Sequence, residues 1–173
     1  MTEVIKLEVA LMCLKSSFLE RRIQGIRDLN TVIRNNRMFN SKNFTAKFLI
    51  EWIEENGVYA QIFDNKKTHI QLVQRSSDIL KLLLQEDMLS AEILEQFWSL
   101  AKTDLKVEIY KIINEISAWL KQSHIDYIFD QIKQVQQEKM ATDEFHTISE
   151  LGKYSKDFDF KKAVGDFFWS IVC

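Results

Sequence analysis

The residues that could carry nucleophilic chemistry are few and far apart in this sequence. The two cysteines are Cys13 and Cys173, and the three histidines are His69, His124 and His146. A cysteine nucleophile needs an activating base and an oxyanion donor close by, whereas Cys13 lies in the apolar run Ala-Leu-Met-Cys-Leu. We therefore predict that Cys13 is a buried packing residue and that the chain contains no catalytic residue.

Metal and cofactor chemistry is equally poorly represented. No group of histidine, cysteine and acidic residues has the spacing of metal ligands. The neighbouring carboxylates Glu54 and Glu55 diverge by about 100° on a helix, so they cannot face one substrate. The glycines are too widely scattered to form a phosphate-binding loop. The sequence thus predicts no metal site, no cofactor and no small-molecule ligand.

One charge asymmetry is a candidate interaction site. Residues 15–42 contain seven basic residues and two acidic ones, and they hold five of the six arginines in the chain. These arginines are Arg21, Arg22, Arg27, Arg34 and Arg37. They are either a solvated helix face balanced by acidic neighbours or a patch for an acidic protein partner. No interleaved exposed aromatic residues or groove-reading motif accompany them, which disfavours nucleic acid.

Amphipathic helices must position these residues. Apolar residues recur at i, i+4, i+7 and i+8 throughout the chain, most clearly in residues 76–120. The spacing predicts nine or ten helices joined by short polar turns, grouped in pairs of about 40 residues, the size of HEAT or armadillo units. The predicted fold is therefore all-α, an α-α superhelix of the armadillo/HEAT type, with a compact irregular bundle as the alternative.

Several local expectations follow from the same pattern. One helix should cover residues 69–86, and a capping box formed by Ser123 and Asp126 should open another. Three tryptophans at helical spacing, Trp52, Trp98 and Trp119, should lie in the core. Trp169 is the exception, because no helix follows it to cover its face.

Composition limits the classes of function. The chain has no proline and four glycines, 46% of its residues are hydrophobic, and its net charge is −2. This balance gives no attraction to nucleic acid or to an anionic membrane, and no apolar run approaches the 18 residues typical of a transmembrane helix. With no disulfide framework and no signal peptide, we expect a reducing intracellular compartment, the cytoplasm first and the nucleus second.

The whole of residues 1–173 is expected to form a single helical-repeat domain. The final residues read Phe-Phe-Trp-Ser-Ile-Val-Cys, whereas a terminal repeat needs a polar outer face for solubility. We therefore expect the domain to be a fragment of a longer array.

Two stretches carry a resemblance to a known family. Residues 13–30 read CLKSSFLERRIQGIRDLN, and a second stretch contains EWIEENGV at 51–58, LSAEILEQFW at 89–98 and HIDYIF at 124–129. In sequence and in order they resemble the N-terminal helical-repeat region of the very large fat-facets-type ubiquitin-specific proteases. The resemblance covers residues 11–135 and is carried best by Trp52 and Trp98.

The resemblance implies an armadillo-like scaffold inside a cysteine deubiquitinase. The cysteine and histidine boxes of that family's catalytic domain are absent, so no catalytic residue carries over. The expected function is a non-catalytic interaction scaffold that recruits ubiquitin-pathway substrates or regulators, or that positions the protease domain. A stand-alone HEAT/armadillo adaptor unrelated to ubiquitin is the alternative, and a self-contained enzyme is third.

Overall fold

A computed structural model describes residues 2–39, 44–64, 68–135 and 140–172. Over these residues the chain forms α-helices and two short 3₁₀ turns, with no strand, which confirms the predicted all-α class. Residues 1–100 and residues 101–173 form two compact units.

The first unit contains seven helices and the second contains four, within the described ranges. They are α1 Glu3–Leu14, α2 Leu19–Phe39, α3 Ala46–Glu55, α4 Val58–Phe63, α5 Ile70–Val73, α6 Ser77–Gln85, α7 Ala91–Ser99, α8 Lys106–Ile116, α9 Gln122–Lys133, α10 Thr142–Tyr154 and α11 Phe158–Val172. The 3₁₀ turns are Leu100–Lys102 and Ser117–Trp119.

The single helix predicted for residues 69–86 is wrong, because the chain breaks between α5 and α6. The Ser76 hydroxyl, which is fully buried, donates to the Val73 carbonyl at 2.8 Å. The Arg75 carbonyl accepts a hydrogen bond from the Asn30 side chain of α2 at 2.8 Å. A carbonyl used by a neighbouring helix suits a helix break, since it is not needed for the ladder of its own helix.

The first unit is built on a close pairing of α1 and α2. Gly25 of α2 lies at the contact, where an added Cβ would be 2.7 Å from the Ala10 carbonyl oxygen and 2.8 Å from the Leu14 amide nitrogen. Only glycine lets two helix backbones approach this closely. Leu7 and Leu14 of α1 are fully buried as a result.

The other helices of the first unit complete one apolar core. Phe63 of α4 meets Phe97 of α7 edge to face, with ring centroids 5.5 Å apart. Trp52 and Trp98 are both buried, as predicted. By contrast, Val4 and Phe48, each at the edge of the apolar stripe of its helix, are 46% and 38% exposed.

The second unit packs α10 against α8 and α9, and α11 against α10. Aromatic rings connect α9 to α11, since Phe129 lies 5.1 Å from Phe160 between ring centroids. Trp119 is 43% exposed, so its predicted core position is wrong. The α-helical phase that buries Ile112 and Ile113 ends with α8 at Ile116, and a 3₁₀ turn carries the chain onward.

The capping box predicted for Ser123 and Asp126 is also wrong. Helix α9 begins one residue before Ser123, with Lys121 at the N-cap. The Lys121 amide donates to Nδ1 of His124, the third residue of the helix, at 3.3 Å. The imidazole therefore fills the role that a glutamate side chain has in the familiar motif.

Candidate protein-interaction site

The arginines predicted as an interaction site lie on α2, the longest helix of the first unit. One side of α2 is apolar and packs on α1 and α6, where Ile26, Leu29 and Ile33 are fully buried. Arg21, Arg27 and Arg34 are exposed. The Arg37 side chain lies outside the described residues.

Two of the arginines are held by structural contacts. Arg22 reaches back across the unit, and its guanidinium donates to the Gln61 carbonyl at 2.7 Å. Arg34 donates from Nε and Nη2 to one carboxylate oxygen of Asp78, at 3.0 and 2.6 Å. These contacts tie α2 to α4 and to the first turn of α6, so reversing either charge would also disturb the fold.

The other two described arginines are more available. Arg21 lies over the ring of Phe18, with its guanidinium carbon 5.6 Å from the ring centroid. Arg27 is exposed, and its guanidinium makes no hydrogen bond or ion pair with the described residues. Arg27 and Arg34 are seven residues apart and share a side of the helix within about 20°, whereas Arg21 and Arg22 point elsewhere. The structure does not gather the described arginines into one patch.

Sequence reasoning missed a groove between α1 and α2. It is lined by Lys6 and Val9 from α1 and by Asp28, Thr31 and Val32 from α2, and it encloses about 280 Å³. An exposed apolar stripe runs beside it along α1, formed by Ile5, Val9 and Met12, of which Met12 is 74% exposed. The i, i+4, i+7 spacing of these three residues in the sequence could have revealed the stripe.

A second apolar surface lies on α11. Phe158 and Trp169 are 79% and 71% exposed, while Phe160 and Val164 on the opposite side of the helix are buried. The expectation that Trp169 is uncovered therefore matches its position. Phe158 was not identified from the sequence. It is the first residue of α11, so no preceding helical turn indicates which side of the helix it faces.

The second unit also contains a cluster of Glu144, Lys106 and Tyr110 that the sequence did not reveal. The Glu144 carboxylate is fully buried; it pairs with the Lys106 ammonium and accepts the Ala141 amide at 3.0 Å. Burial, then the Glu144 charge and its hydrogen bond, raise the pKa of Tyr110 well above its ordinary value. The cluster joins α8 to α10.

The remaining features concern Cys13, metal-ligating side chains and helix length. Cys13 is half-buried, where the sequence predicted full burial, because its side chain lies at the margin of the α1–α2 contact. No three metal-ligating side chains converge anywhere in the described part of the chain. Of the helices described, none combines the length and apolarity needed to cross a bilayer.

Comparison with known proteins identifies relatives. A family model for the UBP24/USP9X/USP9Y ARM repeat matches residues 1–173. The chain is 22% identical over 143 residues to human ubiquitin carboxyl-terminal hydrolase 9Y, and equally so to mouse ubiquitin carboxyl-terminal hydrolase 9X, an overlap of 76% of this chain and 6% of each relative. The chain therefore spans only a small part of the length of these relatives.

These matches agree with the helical architecture and with the resemblance found in residues 11–135. They also favour the armadillo superhelix over an irregular bundle, since a repeat family accounts for every residue matched. The chain belongs to the UBP24/USP9X/USP9Y family of armadillo-repeat segments.

Proposed function

We propose that this chain is a non-catalytic protein-interaction segment of a large ubiquitin-specific cysteine protease. In this role it recruits ubiquitin-pathway substrates or regulators, or it positions the protease domain. The observation that carries the proposal is the match of an armadillo-repeat model over the full 173 residues. Armadillo repeats bind proteins along extended surfaces and need no pocket, in keeping with the shallow groove on α1 and α2.

The proposed partner is a protein with an acidic surface. Arg21 and Arg27 project from α2 without an acidic partner among the described residues, and charges of this kind steer association more than they add affinity. Nucleic acid, membrane and small molecules are not proposed as ligands. The proposed compartment is the cytoplasm, with the nucleus second.

The test separates the two available arginines from the two structural ones. The chain serves as bait in a quantitative affinity capture beside a variant carrying Arg21→Glu and Arg27→Glu. A matched control carries Lys102→Glu and Lys156→Glu, which change the net charge equally at exposed positions outside α2. Arg22 and Arg34 stay unchanged, so that lost binding cannot be confused with lost stability.

We expect ubiquitin-conjugated proteins or ubiquitin-pathway regulators to be enriched by the unchanged chain and by the lysine control, and to be lost from the arginine variant. Equal recovery by all three baits would remove α2 as the binding surface. Reproducible capture of partners with no link to ubiquitin would favour the stand-alone adaptor.

The absence of catalysis is tested separately. A fluorogenic ubiquitin substrate should remain intact in the presence of this chain, and Cys13→Ser should change nothing. Hydrolysis that disappears with Cys13→Ser would overturn the proposal, because it would show a thiol-dependent activity within these residues.

A further inference from the structure

The turn between α1 and α2 combines an exposed aromatic ring with two cations. Phe18 is 61% exposed, and the Arg21 guanidinium carbon lies 5.6 Å from the centroid of its ring. Lys15 is exposed and, like Arg21, makes no ion pair with the described residues. Aromatic residues and arginine are enriched in protein interfaces, so this turn has the composition of a binding surface.

A hollow lies beside these residues. It encloses about 400 Å³ and is lined by Lys15, Ser16, Ser17 and Arg22, together with Gln61 of α4. No carboxylate is among the described side chains that line it. The Arg22 guanidinium donates to the Gln61 carbonyl at 2.7 Å, which holds its charge at the wall of the hollow. The hollow therefore presents positive charge next to the exposed ring.

The acidic residue of this segment lies on another side of α2. Phe18 directly precedes the first residue of the helix, and its carbonyl accepts the Arg22 amide at 3.1 Å, so helical spacing applies from Phe18 onward. Counted at about 100° per residue, Arg21 and Arg22 lie within about 60° of Phe18, whereas Glu20 lies about 160° from it. The side of the helix that carries the ring is therefore positively charged.

The fold holds this turn in a defined conformation. The Ser16 hydroxyl oxygen accepts the Phe18 amide at 3.2 Å, and the Lys15 amide donates to the Leu11 carbonyl at 3.0 Å. The close contact at Gly25 fixes the two helices that the turn connects. A partner can consequently bind here without the cost of ordering the turn.

The turn also stays accessible when the chain is part of a longer array. Each repeat contacts its neighbours in the array, and helices pack on one another through their sides. Lys15 and Phe18 lie instead at the ends of α1 and α2, where the chain reverses direction. Repeats that precede or follow residues 1–173 would cover helix sides and leave this turn open.

We propose that the turn surface, formed by Lys15, Phe18, Arg21 and the adjoining hollow, binds an acidic linear segment of a partner protein. Carboxylates of the segment pair with Lys15 and Arg21, and an apolar side chain between them packs on the Phe18 ring. Two cations beside an exposed ring are complementary to such a segment in charge and in apolar surface. The inference rests on the proposed function and specifies where the acidic partner binds and what it must contain.

Selection of a random peptide library, displayed on phage, against the whole chain tests the proposal. The selected peptides are expected to be enriched in aspartate and glutamate around a leucine, phenylalanine or tryptophan. Synthetic copies of these peptides, measured by fluorescence anisotropy, should bind more weakly as the salt concentration rises. Selected peptides with no more acidic residues than the starting library would overturn the proposal, as would a failure to select any binding peptide.

Variants of the chain locate the binding site of these peptides. Phe18→Ser, Lys15→Glu and Arg21→Glu should each raise the dissociation constant at least about fivefold. Matched controls are Phe158→Ser and Lys102→Glu, which change an exposed phenylalanine and an exposed lysine of the second unit, and they should leave binding unchanged. Equal weakening by the controls, or full binding by Phe18→Ser, would contradict the proposal.

Thermal unfolding shows that the Phe18→Ser variant is folded, since serine is a preferred residue before the first turn of a helix. Affinity capture from lysate separates this site from the proposed function. Ubiquitin-pathway proteins captured equally by the unchanged chain and by Phe18→Ser would overturn the turn surface and leave the proposed function standing. Acidic peptides that bind at the turn, with no ubiquitin-pathway protein captured, would support the site and count against the proposed function.

Discussion

Two buried tyrosines, Tyr110 and Tyr59, differ in the hydrogen bonding of their hydroxyl groups. Tyr110 donates to the buried Glu144 carboxylate in the second unit. Tyr59, in the first unit, buries its hydroxyl without a hydrogen-bond partner among the described residues. A buried polar group without a partner is costly, whereas a hydrogen bond to a charged group stabilises the fold.

The same substitution should therefore act in opposite directions at these two positions. Tyr110→Phe is expected to lower the free energy of unfolding by about 1–3 kcal/mol, and Tyr59→Phe to leave it unchanged or to raise it by up to about 1 kcal/mol. Urea unfolding followed by circular dichroism measures both. Similar losses in the two variants would show that the Tyr59 hydroxyl has a partner after all.

Alkaline pH should weaken the fold through the same two residues. Burial is the first cause that raises the pKa of Tyr59 and of Tyr110 above the ordinary value of 10.0, with Glu54 and Glu144 contributing respectively. The unfolded chain then loses these protons first, so the stability is complete below pH 10 and falls as the pH rises above it. Each group contributes up to about 1.4 kcal/mol per pH unit.

Unfolding free energies measured from pH 8 to 11 check this direction. The variant carrying both Tyr59→Phe and Tyr110→Phe should lose most of the decline above pH 10. An unchanged decline in that variant would assign the alkaline sensitivity to other groups.

At the scale of elements, the α1–α2 pair depends on one missing side chain. Gly25→Ala would gain helix propensity, but its Cβ would meet backbone atoms of Ala10 and Leu14, which cannot move aside as a side chain can. The steric cost should prevail, with a net loss of about 1–3 kcal/mol.

Gly152→Ala is the matched control for this prediction. Its Cβ would lie 3.6 Å from Val164 Cγ1, an ordinary contact, so this variant should gain up to about 1 kcal/mol. Thermal unfolding compares the two. A Gly25→Ala variant as stable as the control would mean that α1 shifts away from α2 at little cost.

The sequence predicted most elements and missed where they break or begin. Periodicity alone was enough for the helices, since apolar stripes such as Ile109, Ile112 and Ile113 recur at helical spacing. The break at Ser76 was not predictable, because it depends on a hydrogen bond from Asn30 to the Arg75 carbonyl, and these residues are 45 positions apart and adjacent only in the fold. The start of α9 was missed because His124, rather than an acidic residue, closes the cap.

At the scale of the molecule, the basic segment was visible in sequence but its arrangement was not. A count of charges shows an excess in residues 15–42 without showing which side chains are engaged. The partners of Arg22 and Arg34 are Gln61 and Asp78, both from other helices. The candidate surface is consequently smaller than the sequence suggested, and its charges face more than one direction.

We propose that residues 1–173 act as one repeat domain, although their contacts cluster into units at 1–100 and 101–173. Repeats in one array are coupled through neighbouring interfaces, so a single domain should unfold in one transition. Tryptophan fluorescence and circular dichroism should then give coincident urea curves. Two separated transitions would instead make each unit a domain of its own.

The exposed apolar stripe on α1 contains a residue, Met12, whose oxidation can be measured. The thioether of Met12 is 74% exposed, and thioethers of this kind are oxidised to the sulfoxide by mild peroxide. Met88 and Met140 are only half-exposed, so they serve as internal standards in the same digest. The rate of Met12 oxidation, measured by mass spectrometry, therefore shows whether another surface covers this side of α1 in a larger assembly. A covering surface would slow the oxidation of Met12 and leave that of the standards unchanged.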